Sequence, residues 1–162
     1  MTRPITKHVL AAGEGETSTL GGCTDRYLVD GADTEGRAAL VEYTVAPGSL
    51  AAPLHRSKDA DMWTWVISGS IGATVGGEEV VVNAGELLRK PKGEWNTFWN
   101  TGTEPAVMLE LLSPAGLEDL FKQFAGAPPE PEALARMAGE HGCELDFEGT
   151  MAVAERHGVA FG

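Results

Sequence analysis

Among the four histidines of this chain, His55 stands apart. It follows Pro53 and Leu54 in a short extended segment, whereas His8, His141 and His157 fall outside the strand-rich region. An imidazole titrates near neutral pH, so it can act as a general base or as a metal ligand. Two cysteines, Cys23 and Cys143, lie far apart and form no paired-thiolate spacing. A second stretch, from Gly85 to Asn100, sets Gly85, Pro91, Gly93, Asn96 and Asn100 within strand-like sequence. A third feature is aromatic. Trp63, Trp65, Trp95 and Trp99 recur at alternate positions on two segments, each offering a broad apolar surface.

The elements that must carry these residues read as β-structure. Arg26–Val29, Arg37–Val45, Pro53–Arg56, Met62–Ile67, Ile71–Val75, Glu79–Val82, Leu87–Arg89, Trp95–Trp99 and Ala106–Leu112 are short, β-branched or aromatic, and separated by turn signals. Gly76-Gly77 is a hairpin signal, and residues 13–22 read as a loop. Short strands with turns at about ten-residue spacing predict an all-β sandwich or barrel rather than an α/β sheet. After Ser113 the pattern changes. Leu117, Leu120, Phe121 and Phe124 share one face of a helix, with Ser113 as its cap and Pro114 at its first position. Residues 130–138 and 150–156 predict two more helices. Leu117, Phe121, Leu134 and Met137 should pack these helices on the outside of the β body.

The Gly85–Asn100 stretch resembles the second signature of the cupin superfamily, G-x5-P-x-G-x2-H-x3-N. Gly85, Pro91, Gly93 and Asn100 fall at the family spacing, and Asn96 stands where the family has histidine. The first signature, G-x5-H-x-H-x3-4-E-x6-G, is matched more loosely between Gly48 and Gly69, with His55 retained. The resemblance implies a jelly-roll β-barrel with short C-terminal helices packed outside. It would form one domain over residues 1–162, with a barrel core at about 24–112 and a helical segment at about 114–160.

In metal-bearing members three histidines and a glutamate hold the ion. Carried over, those positions are His55, Ser57, Met62 and Asn96. One strong donor remains, so the expected metal content and cofactor content are none. Asp61 and Glu94 neighbour the emptied positions as candidate replacements. Strand alternation turns Asp61 away if Met62 points inward. From Met62 and Asn96 the same alternation brings Thr64 and Phe98 inward. The expected ligand-binding set is therefore His55, Ser57, Met62, Thr64, Asn96 and Phe98, with His55 as the candidate catalytic base. The tryptophans then face outward, to be covered by terminal segments or by a second subunit of a homodimer. A register slipped by one residue would turn them into the pocket instead.

Composition sets the outer limits. A net charge of −12 over 162 residues argues against nucleic acid and against anionic membranes. No apolar run reaches the ~18 residues of a membrane span. Two isolated cysteines suit a reducing cytoplasm. The expected function is metal-independent binding of a small organic molecule, as an accessory protein of secondary or aromatic metabolism. The alternative is an enzyme. It would be an isomerase or cyclase using His55, or a quercetinase-like metal dioxygenase with an atypical site.

Overall fold

A computed structural model describes residues 7–161. In chain order its strands are β1 (Thr17–Leu20), β2 (Cys23–Val29), β3 (Ala39–Val45), β4 (Ser49–Leu50), β5 (Leu54–Ser57) and β6 (Asp61–Ser68). Then follow β7 (Ser70–Val75), β8 (Glu78–Asn83), β9 (Leu87–Lys90), β10 (Asn96–Asn100) and β11 (Ala106–Ser113). The C-terminal part alternates α1 (Leu117–Phe121), β12 (Ala125–Gly126), α2 (Pro131–Gly139), β13 (Cys143–Asp146) and α3 (Phe147–His157).

The strands form two facing sheets. One has the order β12-β1-β2-β3-β11-β6-β9 and the other β13-β5-β10-β7-β8, with β4 paired to β10. Consecutive strands β6 and β7 belong to different sheets, and the chain turns between them at Gly69. Its φ of 76° suits glycine, and an added Cβ would meet Ala106 Cα at 3.1 Å. This is the jelly-roll sandwich expected from the sequence.

Alternation decides what each strand buries. β3 buries Ala39, Val41, Tyr43 and Val45, and β11 buries Ala106, Met108, Glu110 and Leu112. On β6, Met62, Thr64 and Val66 point inward, so Trp63 and Trp65 take the opposite face and the slipped register is not adopted. Trp99 is covered instead of exposed. It stacks on His157 of α3 with ring centroids 4.2 Å apart, in a small cluster with Leu50, Val153 and Val159. Trp95 lies beneath the Arg56 guanidinium at 4.7 Å, and Trp65 stays 47% exposed beside Leu87 and Leu111.

Several local readings are corrected. The expected loop at 13–22 contains β1, because Ser18 turns inward to the Tyr27 hydroxyl at 2.6 Å and the strand pairs with β2. Helix α1 begins at Leu117 rather than Pro114. Gly116 is its cap, and the Glu118 carboxylate accepts the Gly116 N–H at 2.6 Å and the Gly31 N–H at 3.1 Å. Helix α3 starts at Phe147, capped by Asp146, which accepts the Gly149 N–H at 2.8 Å. Strands β4, β12 and β13 were not read from sequence; each is held by its partner strand rather than by its own pattern. Leu117 and Leu134 are buried, and Phe121 and Met137 pack partly buried against the same core. Among the described residues no helix is long and apolar enough to cross a membrane.

Candidate functional site

The two sheets leave a cavity between them, closed over by α1 and α2. It comprises about 650 Å³ of space between atoms, its open mouth included. Leu20, Leu120, Phe124, Leu134 and Ala138 make much of the wall apolar, and Tyr43, Phe98 and Phe121 add aromatic rings. Tyr43 stacks on Phe98 at 5.9 Å and meets Phe121 edge-on at 6.4 Å.

The polar groups of the wall come from separate strands. Glu110, on β11, is at the centre. Its Oε1 accepts hydrogen bonds from Thr64 at 3.0 Å and from the Lys90 ammonium, and its Oε2 accepts one from the Tyr43 hydroxyl. Lys90 and Glu110 are both almost wholly buried, at 1% and 2% exposure. Such a pair persists only because each charge answers the other. Burial and the neighbouring Glu110 carboxylate push the Tyr43 phenol far above its ordinary range, so it remains a donor. The Lys90 ammonium also lies 5.0 Å from the Phe98 ring centre.

Asp25, on β2, is the other buried acid. Burial pushes its carboxyl up to about 7; the Cys23 thiol, donating at 3.4 Å, opposes the rise and Glu110 adds to it. Cys143 lines the opposite sheet, with its thiol pushed up to about 12 by burial. Both cysteines are free.

His55 enters the cavity from β5. Its Nδ1 lies 2.7 Å from the Pro53 carbonyl oxygen, which can only accept, so Nδ1 carries the hydrogen. Burial holds the imidazole below its ordinary pKa, hence neutral near pH 7, and Nε2 is left with a free lone pair.

The expected site residues divide between the wall and the packing around it. His55 and Phe98 line the cavity; Ser57, Met62, Thr64 and Asn96 are buried but are not part of its wall. Ser57 Oγ accepts the Ala60 N–H at 3.0 Å, and Thr64 donates to Glu110. Asn96 donates to the carbonyls of His55 and Glu94, each at 3.3 Å, and its Oδ1 has no partner among the described residues.

This donor set does not fit the transition ion that the resemblance implies. It offers one imidazole, a hydroxyl already engaged, a thioether and one amide oxygen. Asp61 instead accepts the Lys92 N–H at 2.9 Å. Among the described residues no group of three or more His, Cys, Asp or Glu side chains is placed to hold a metal. Sequence reading missed Asp25, Tyr43, Lys90 and Glu110. The available signal was a charge at an inward position, as with Glu110 between Met108 and Leu112.

Residues 41–112 match the cupin domain family. Among solved structures, a predicted oxalate decarboxylase from Thermotoga maritima superposes with a TM-score of 0.61 at 18% identity, covering 65% of this chain and 98% of that one. KdgF from Halomonas sp. gives 0.57 at 15% identity, over 67% and 94% of the respective chains. A variant of Streptomyces PAC13 solved with uridine gives 0.55 at 19%, over 68% and 84%. At these identities the likeness concerns the fold. No curated protein sequence matches.

Proposed function

The chain carries a cupin domain of the jelly-roll type, and from that premise we propose that its barrel binds a small organic molecule without a resident transition metal. One observation carries this reading. An apolar cavity with a few convergent polar groups lies between the sheets, while three of the four family ligand positions hold Ser57, Met62 and Asn96. The four aromatic rings of the wall and the limited volume favour a compound of about one ring, which suits an accessory role in secondary or aromatic metabolism.

Native mass spectrometry with elemental analysis tests the reading. The expected result is an organic adduct or a bare chain, with metal well below one equivalent. Stoichiometric iron, manganese, nickel, copper or zinc that leaves on His55→Ala would overturn it.

A second reading is supported by the His55 tautomer. With Nδ1–H bound to Pro53, Nε2 is a ready proton acceptor, as a metal-free isomerase or cyclase requires.

We read residues 1–162 as one domain in a reducing, cytoplasmic setting. We also read the outer face bearing Trp65, Ile67, Leu87 and Leu111 as the contact surface of a homodimer. A monomeric mass by sedimentation at micromolar concentration would remove the dimer from this picture.

A further inference from the structure

Among the described residues, Asp25 is the cavity carboxyl without a cation, Glu110 being paired with Lys90. It is only 8% exposed, accepts a single weak thiol hydrogen bond at Oδ1, and has no partner for Oδ2 among the described residues. The cations of the region are committed elsewhere. Lys90 is paired with Glu110; Arg26, on the outward alternation of the same strand as Asp25, with Glu42 of β3; and Lys122 with Asp30. An isolated buried carboxylate is costly enough that the group keeps its proton instead. A protonated carboxyl aimed at a cavity is a hydrogen-bond donor.

We propose that Asp25 is the uncharged acid of this cavity, donating a hydrogen bond to an oxygen of a single-ring carbonyl or phenolic ligand. The proposal rests on the ligand-binding reading above and names the ligand's chemistry. Across the cavity, His55 Nε2 offers the complementary acceptor for a ligand hydroxyl, and the aromatic wall receives the ring.

The titratable groups around Asp25 leave this assignment intact. Cys23 and Tyr27 share its strand, Tyr43 is its register partner on β3, and Glu110, Lys90 and His55 face the same interior. Burial pushes Cys23, Tyr27 and Tyr43 well above neutrality, and it keeps His55 neutral. Lys90 and Glu110 cancel each other. Near pH 7 the change of charge therefore belongs to Asp25.

The experiment uses acetophenone, toluene and benzylamine, all of a size for the cavity, titrated between pH 5.5 and 8.5 into wild type and Asp25→Asn. Acetophenone should bind wild type most tightly at low pH and weaken as pH rises through the carboxyl midpoint, levelling off about tenfold weaker once the hydrogen bond is lost. In Asp25→Asn its affinity should be flat with pH, and toluene should be flat in both proteins. Benzylamine that binds wild type as tightly at pH 5.5 as at pH 8.5 and is lost in Asp25→Asn would make Asp25 an ionised anchor throughout and overturn the proposal. So would a flat acetophenone profile in wild type.

A ¹³C carboxyl titration of the ligand-free protein gives a check that needs no binding and no variant. A midpoint near 7 supports the uncharged acid, and one in the ordinary carboxylate range rejects it. If the carboxyl stays protonated but none of the three compounds binds at any pH, the ligand-cavity reading itself has failed and the proposal falls with it.

Discussion

His55, Ser57, Met62 and Asn96 stand where the resemblance to the cupin signatures implies an ion position, on β5, β6 and β10. Asp25, Tyr43, Lys90 and Glu110 stand on β2, β3, β9 and β11, across the same interior. The first group carries the recognisable spacing but only one strong donor. The second carries no recognisable spacing, yet holds a buried ion pair and an unpaired acid. A family pattern thus records how the backbone turns, through residues such as Gly93 and Pro91, and is silent on whether the chemistry once attached to it remains. The chemistry present is better located by asking which buried charges have partners and which do not.

The largest expected effect tests whether the second group is a coupled unit. Glu110→Ala strands the Lys90 charge and frees the Tyr43 and Thr64 hydroxyls. It should cost about 3–5 kcal/mol in urea unfolding. Replacing the pair together, Lys90→Met with Glu110→Leu, should recover most of that loss. A single-variant cost below about 1 kcal/mol would show that Lys90 finds other company and would erase the contrast.

Asp25 should give the next effect, and its sign is fixed. Its folded pKa of about 7 lies above the ordinary 3.8, so its contribution is fully present at low pH and is lost as pH rises between those values. Over that window wild type should lose roughly 4 kcal/mol relative to Asp25→Asn, followed by thermal or urea unfolding. Parallel pH profiles for the two proteins would remove Asp25 from the comparison.

The smallest effect belongs to the ion-position group. Met62 is 1% exposed and acts there as a packing side chain, so Met62→Leu should change stability by less than about 1.5 kcal/mol and leave ligand affinity unaltered. A loss of binding with stability intact would show that this position still takes part in the site.

Much of the fold was legible because strand alternation and turn chemistry are local. Met62-Thr64-Val66 and Ala106-Met108-Glu110 announce an inward face, and Gly76-Gly77 forms the expected hairpin, with φ of 59° and 84°. Strand β1 escaped notice because Thr-Ser-Thr-Leu carries too little apolar pattern. Its place depends on Tyr27 and on pairing with β2. The site was legible only in part. His55 and Phe98 reach the cavity wall as alternation implied, whereas Asn96 and Met62 point inward without lining it.

The amino-acid order by itself determined a cupin-type β-sandwich and the alternation along its main strands, and it left His55 as the one strong donor among the positions where the resemblance implies an ion. These follow from side-chain type and from spacing along one or two neighbouring strands. Only the tertiary structure decided which face of each strand turns inward, that α3 covers Trp99 while Trp65 stays in the open, that Lys90 meets Glu110, and that Asp25 meets no cation among the described residues. Those outcomes join residues tens of positions apart, and the energy of a buried charge depends on everything around it rather than on its neighbours in the chain.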